Sequence, residues 1–282
     1  MIVDFHVHTF PDAFAEKTVA ALSRVSRTKP FTDGTAAALQ ASMKRAGVDR
    51  SVLLPVATKP AQVPGINDAA AQINSRGEGG LLSFGGIHPE FADWRAELNR
   101  IAALGIPGIK IHPVYQKTDQ DDIRYLRILE RAGELGLIVV THSGTDIGYP
   151  EETQCSPAKL RSAVRQVGPV KIVAAHMGGW KQWEEALDQL GDTEVYVDTS
   201  FSTGSMTPIP DSGYSHEELR LLTGEQFAEL VRAYGVQRVL FGTDSPWSGQ
   251  RESLDWLRLA PLTEAERTAI LGGNACKLLE KK

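Results

Sequence analysis

Asp4-Phe5-His6-Val7-His8 is the stretch on which the fold turns. Its apolar members close a run over about 1–7 that reads as a strand. Two histidines two residues apart on a strand point to the same face, so they can grip one metal ion together. The same device, a short apolar run ending in a chemically active residue, returns at His142, His176 and Asp244. These three could complete the shell if all the strand ends meet in one place. A parallel (β/α)8 barrel brings them together, because its strand C-termini converge on one face.

Seven more strand-like runs support this, at about 50–56, 80–87, 106–112, 136–142, 169–176, 193–199 and 236–243. Stretches with helical spacing lie between them, among them Phe14 to Val25, Thr35 to Ala46, Asp93 to Leu104 and Asp121 to Leu135. Strand and helix alternating eight times predict an α/β fold, a (β/α)8 TIM barrel forming a single domain over residues 1–282. A doubly wound open sheet is the alternative. It explains eight strands less well, and no G-x-G-x-x-G follows the first strand. Gly47, Gly105, Gly136 and Gly235 each end a helical stretch before a strand, which is the C-cap role of glycine. Ser200 to Glu217 reads as a long loop, either an active-site cover or plain surface. A last helix is expected from Glu264 to Glu280.

The composition is that of an ordinary globular protein, with 42% apolar and 23% charged residues. A net charge of −5 offers nothing to nucleic acid. No apolar run approaches the roughly 18 residues a membrane span needs. There is no basic stretch before the first strand, so no signal peptide is expected. Cys155 and Cys276 have no metal-binding spacing. A cytoplasmic protein with reduced thiols is the simplest reading, with a small-molecule substrate and neither nucleic acid nor membrane as partner.

His6 and His8 carry the strongest signal, since neutral imidazole suits Zn, Mn, Fe or Ni. Asp4 is placed to orient one of the ligand rings by a hydrogen bond. His142 and His176 each end an apolar strand and are followed by glycine, in Ser143-Gly144 and Met177-Gly178-Gly179. One such histidine would read as a satisfied core side chain; two at the same kind of strand end favour a site. Asp244 follows Leu240-Phe241-Gly242-Thr243, where a carboxylate is costly to bury unless paired or metal-bound. Its plainer role would be an N-cap.

Lys110 stands inside Gly108-Ile109-Lys110-Ile111-His112-Pro113. A lysine within a barrel must be paired, neutralised or modified. It could bridge two metals as a carboxylated lysine, bind a substrate carboxylate, or pair with an acid. His112 shares its face and is a weaker pocket candidate, as is His88. Among the aromatic residues after strand ends, Trp247 and Tyr149 are the substrate-binding candidates, hinting at a flat or apolar substrate.

As an ordered set, Asp4-Phe5-His6-Val7-His8, Gly108-Ile109-Lys110-Ile111-His112-Pro113, Thr141-His142-Ser143-Gly144, Ala175-His176-Met177-Gly178-Gly179 and Gly242-Thr243-Asp244-Ser245-Pro246 resemble the metal-dependent amidohydrolase superfamily. The nearest likeness is to its amidohydrolase-related (type 2) group, over nearly the whole chain. The resemblance implies a (β/α)8 barrel with His6, His8 and Asp244 on the metal and His142 as a further ligand. His176 would be a ligand in a binuclear site, or a water-orienting base in a mononuclear one. Lys110 matches the bridging carboxylated lysine of dihydroorotase-like members. TatD-like members carry a glutamate there, so the chain departs from that subgroup. One or two divalent ions are implied, zinc first, with manganese or iron as alternatives.

The leading expectation is metal-assisted hydrolysis of an amide, lactone or ester in a small molecule, with Asp244 moving the water's proton and His176 helping to stabilise the attacked oxygen. The rival is non-oxidative decarboxylation of an aromatic or unsaturated acid, with Lys110, Lys117 or Arg251 holding the carboxylate. A third reading is a metal-free barrel, either a lactonase using Asp244 alone or a binding protein.

Overall fold

The computed structural model describes residues 1–280. Among them the strands are β1 (Val3–Val7), β2 (Arg50–Leu53), β3 (Leu81–Ser83), β4 (Gly85–Gly86), β5 (Gly108–Ile111), β6 (Ile138–Thr141), β7 (Lys171–Ala174), β8 (Tyr196–Asp198) and β9 (Val239–Leu240). The helices are α1 (Asp12–Ser26), α2 (Ala36–Ala46), α3 (Val63–Arg76), α4 (Trp94–Ala103), α5 (Ile123–Glu134), α6 (Pro157–Gln166), α7 (Trp183–Leu190), α8 (His216–Leu219), α9 (Gly224–Tyr234), α10 (Gln250–Leu259), α11 (Glu264–Thr268) and α12 (Asn274–Leu279). Every one of the eight expected strand runs contains a strand. The third is split in two at Phe84, and Asn67 reaches into its second half. The Gly86 N–H donates to Asn67 Oδ1 at 2.8 Å, and the Asn67 amide donates back to the Gly86 carbonyl at 3.1 Å. Gly85 makes room for this, since a Cβ there would lie 2.5 Å from Asn67 Oδ1.

The chain forms two compact parts, Met1–Val52 with the residues from Asp198 onward, and Leu53–Val197. In the first, β1 lies beside β2. All five residues of β1 are buried, as in a strand covered on both faces. The segment after β9 flanks β1: Phe5 N–H donates to Phe241 O at 2.8 Å, and His8 N–H donates to Ser245 O at 2.7 Å. Helix α2 starts on Thr35, whose hydroxyl accepts from Ala38 N–H, and stops on Gly47 at φ 77°.

The long loop after β8 is not bare surface. Lys29 N–H donates to Thr207 O, Ile209 N–H donates to Arg27 O, and the Arg27 guanidinium lies 4.1 Å over the Tyr214 ring. The helix expected over Glu264 to Glu280 is continuous from α11 through α12, with a π bulge inside it at Ala269–Gly273 where the backbone stays right-handed helical. Gly272 runs against the start of the chain there; a Cβ on it would lie 2.2 Å from Met1 O.

In the second part β4, β5, β6, β7 and β8 are parallel neighbours in that order. The register sets Lys110 beside Val140 and Thr141 beside Ala174. His112, His142 and the Ala175-His176 pair therefore leave their strands at the same end. No helix among the described residues is long and apolar enough to cross a membrane.

Candidate active site

Strand β1 delivers His6 and His8 on one face, and Asp244 comes to them from the turn after β9. The Asp244 N–H donates to His6 O at 2.7 Å, which fixes the turn against the strand. Asp244 holds φ at 65°, a left-handed conformation that costs a non-glycine residue energy and clusters at functional positions. Its side chain does not cap a helix; it turns back to the histidines. His8 Nε2 lies 3.0 Å and His6 Nε2 3.5 Å from Asp244 Oδ1, and the two Nε2 atoms are 3.2 Å apart. Metal–ligand bonds of about 2.1 Å put tetrahedral ligands roughly 3.4 Å apart, so this triangle suits one divalent ion. Two imidazole nitrogens and a carboxylate oxygen form a donor set for Zn, Mn or Fe.

Behind His6 stands a residue that the sequence reading passed over. His6 Nδ1 lies 2.9 Å from Asp198 Oδ2, with both side chains buried. Ser200 completes the grip: its N–H donates to Asp198 Oδ1 at 3.1 Å, its hydroxyl bonds the same oxygen, and its Oγ lies 3.0 Å from His6 Nδ1. Asp4, expected to orient a ligand ring, does something else. It accepts from Thr243 N–H at 2.9 Å, Thr243 Oγ1 at 2.6 Å and Gln250 Nε2 at 2.8 Å, tying β1 to the turn that carries Asp244. Burial pushes its carboxyl up to about 7, against the lowering effect of these bonds. Asp198 was findable, since Val195-Tyr196-Val197-Asp198 is the same apolar run closed by a carboxylate that drew attention to Asp244.

The second compact part has its own histidine group. The His112 and His142 rings stack with centroids 4.2 Å apart and planes 15° apart. Asp146 Oδ2 lies 3.6 Å from His112 Nε2 and 3.9 Å from His142 Nε2. His142 Nδ1 meets His176 Nε2 at 3.0 Å. His112, His142 and Asp146 are close enough to share an ion. Parallel rings, however, send their in-plane lone pairs alongside each other rather than to one point. As it stands, the group is an imidazole stack leaning on one carboxylate. Asp146 had no signal in the sequence beyond its place in a short loop. It is held there by Gly148 N–H, which donates to its Oδ1 at 2.8 Å. Gly144 lets the loop pass Trp180: at φ 85°, its missing Cβ would lie 2.1 Å from Trp180 N.

The other candidates divide. Tyr115 stacks on His112 at 3.8 Å, and Tyr149, 45% exposed, sets its ring edge to Tyr115 at 5.9 Å. Lys110 is 1% exposed on β5. Its charge acts on Cys155, whose thiol burial pushes far above the usual range, with Asp146 adding to that and Lys110 opposing it. Trp247 is half-buried and donates its N–H to Asp244 O at 2.9 Å. His88 accepts from Glu90 N–H at 3.1 Å, and burial holds its imidazole below the ordinary value. Arg251, a suggested carboxylate holder, bonds Asp255 at 3.1 Å and the Arg45 carbonyl at 3.3 Å on the surface.

Solved structures resemble the chain along its whole length. An uncharacterised TIM-barrel protein from Bordetella bronchiseptica is 18% identical with a TM-score of 0.77, covering 99% of this chain and 98% of its own. The 5-carboxyvanillate decarboxylase of Sphingomonas paucimobilis is 17% identical with a TM-score of 0.66, over 99% and 98%. A dihydroxybenzoic acid decarboxylase from Polaromonas sp. JS666, solved with manganese and the inhibitor 2-nitroresorcinol, is 15% identical with a TM-score of 0.70, over 99% and 96%. At these identities the likeness establishes the (β/α)8 barrel and no activity. No protein of curated function matches the chain. The amidohydrolase family model matches residues 3–281, nearly the whole chain, and the chain therefore belongs to that family of the metal-dependent amidohydrolase superfamily.

Proposed function

We propose that the protein is a metal-dependent hydrolase that opens an amide, lactone or ester bond of a small, flat molecule. The observation that carries this is the 3.0–3.5 Å triangle of His6 Nε2, His8 Nε2 and Asp244 Oδ1, a set of ligand atoms that includes a carboxylate able to move protons. A bound divalent ion, zinc first and manganese next, would supply Lewis acidity and lower the pKa of water toward about 7. Asp244 takes the proton of the attacking water and returns it to the leaving atom. His142 is carried forward as a further metal ligand. His176, hydrogen-bonded to His142, donates to the attacked oxygen. Tyr115, with Tyr149 beside it, offers a flat face for substrate; His112, sandwiched between Tyr115 and His142, is proposed to meet it through its ring edge, and Trp247 is proposed as a further wall. Lys110 is proposed to act on a substrate carboxylate.

A second reading, non-oxidative decarboxylation of an aromatic or unsaturated acid, is favoured by the same aromatic stack and by the two decarboxylases of similar fold. Of the cations suggested to hold that carboxylate, Arg251 is engaged at the surface, which leaves the task to Lys110 or Lys117. The test is a panel of lactones, esters, amides and aromatic acids given to the metal-loaded enzyme, following newly formed carboxylic acid by chromatography and carbon dioxide separately. A new carboxylic acid from a lactone, ester or amide supports hydrolysis; carbon dioxide from a carboxylic acid, with loss of that carboxyl group, replaces it with the second reading.

A further inference from the structure

We infer that Asp198, together with Ser200, sets the metal affinity of the His6–His8–Asp244 group by fixing the tautomer and the angle of His6. This rests on the reading of those three residues as ligands. Asp198 is a positioning residue: it acts through His6.

An imidazole coordinates through whichever nitrogen lacks the proton, and its other nitrogen decides which that is. A carboxylate only accepts hydrogen bonds. With Asp198 Oδ2 at 2.9 Å from His6 Nδ1, the proton belongs on Nδ1. The opposite tautomer would set a lone pair against a carboxylate where His6 is 1% and Asp198 0% exposed. Nε2 is then left bare, and it is Nε2 that faces His8 and Asp244.

Ser200 makes the arrangement rigid. Its N–H and its hydroxyl both donate to Asp198 Oδ1, so the carboxylate cannot turn its second oxygen away from His6. The same hydroxyl oxygen is within 3.0 Å of His6 Nδ1 and shares its proton. Both residues sit at the end of β8, so the strand that positions one positions the other. A buried anion behind the ring also raises the basicity of Nε2. Partners of this kind typically change metal affinity roughly 10–100-fold when removed.

The experiment is chelator competition on wild type, Asp198→Asn and Ser200→Ala, with Zn(II) and Mn(II) each used alone, alongside thermal unfolding of the metal-free proteins. Asp198→Asn is expected to weaken binding roughly 10–100-fold, and Ser200→Ala several-fold, with little change in metal-free melting. Nitrogen-15 spectra of histidine-labelled, metal-free protein give an independent reading. The His6 signal, assigned by its loss in His6→Gln, should show the proton on Nδ1 in wild type and a mixture of tautomers in Asp198→Asn. Affinity within twofold of wild type in both variants overturns the inference while leaving the ligand reading intact. If Asp198→Asn does not fold, unchanged affinity in Ser200→Ala together with an Nε2-protonated His6 in wild type overturns it equally. A wild type that takes up neither metal overturns the ligand reading itself.

Discussion

His8 Nε2 stands 3.0 Å from Asp244 Oδ1, although one residue ends the first strand and the other sits in a left-handed turn after the last. On the proposed reading, that closeness gives the carboxylate two tasks, one toward a cation and one toward a proton. Asp244→Asn preserves the shape and an oxygen donor but removes the base. It should retain most of its metal and lose turnover by about 10²–10⁴-fold. Elemental analysis beside turnover on the reactive member of the substrate panel checks this, and full turnover in the variant removes Asp244 from the proton step.

Elemental analysis of protein purified without added metal or chelator should find about one divalent ion per chain. The parallel His112 and His142 rings make a poor second site, and one ion suffices for the triangle. His6→Ala combined with His8→Ala should bring the content close to zero. A content near two, falling to one in Lys110→Met, would instead identify Lys110 as a carboxylated bridge.

Acid stability should depend on Glu97. Burial alone would raise its carboxyl, but the Arg100 and Asn67 hydrogen bonds outweigh it, and the group sits below its ordinary value of 4.5. Asn67 donates at 2.6 Å, and Arg100 at 2.7 and 2.9 Å. A carboxyl lowered by folding adds stability that is fully present above 4.5 and is lost as pH falls through the lowered value. Glu97→Gln should therefore cost about 1 kcal/mol near neutrality, a figure kept small because Arg100 is partly solvated. In urea titrations the gap between variant and wild type should close as pH drops from neutrality to below 4.5. A gap independent of pH would mean that Glu97 matters through packing alone.

Gly144→Ala tests the loop that carries Asp146. The new methyl would meet Trp180 N and Gly179 C at 2.1 and 2.4 Å, at a backbone angle that alanine disfavours. A loss of roughly 2 kcal/mol or more is expected in urea unfolding, since those neighbours are backbone and cannot swing aside. A variant as stable as wild type would show that the loop can relax.

The strands and the residues that end them were readable because buried parallel strands are plain apolar runs, and a histidine or aspartate at their tips stands out against them. His6, His8 and Asp244 were visible for that reason. Asp198 ended a run of the same kind but had no neighbour in sequence to mark its task, since its partner is 192 residues away. Asp146 lies in a loop, where one carboxylate reads like any other until the fold brings His112 near it. The π bulge between α11 and α12 had no signal of its own, because Gly272-Gly273 reads like any helical glycine pair until the Met1 carbonyl, far away in sequence, is seen to leave no room for a Cβ at Gly272.

The separation between His6 and Asp198 also orders events in time. A ribosome that has released the first strand must add 192 more residues before the carboxylate that aligns the His6 ring exists, and more again before Asp244. Through that interval His6 and His8 are only two histidines on a nascent chain, able to take any passing cation and to lose it as easily. On the proposed reading, the full set of groups comes together only after Asp244 has been made, so the choice of metal would belong to the surroundings in which folding finishes.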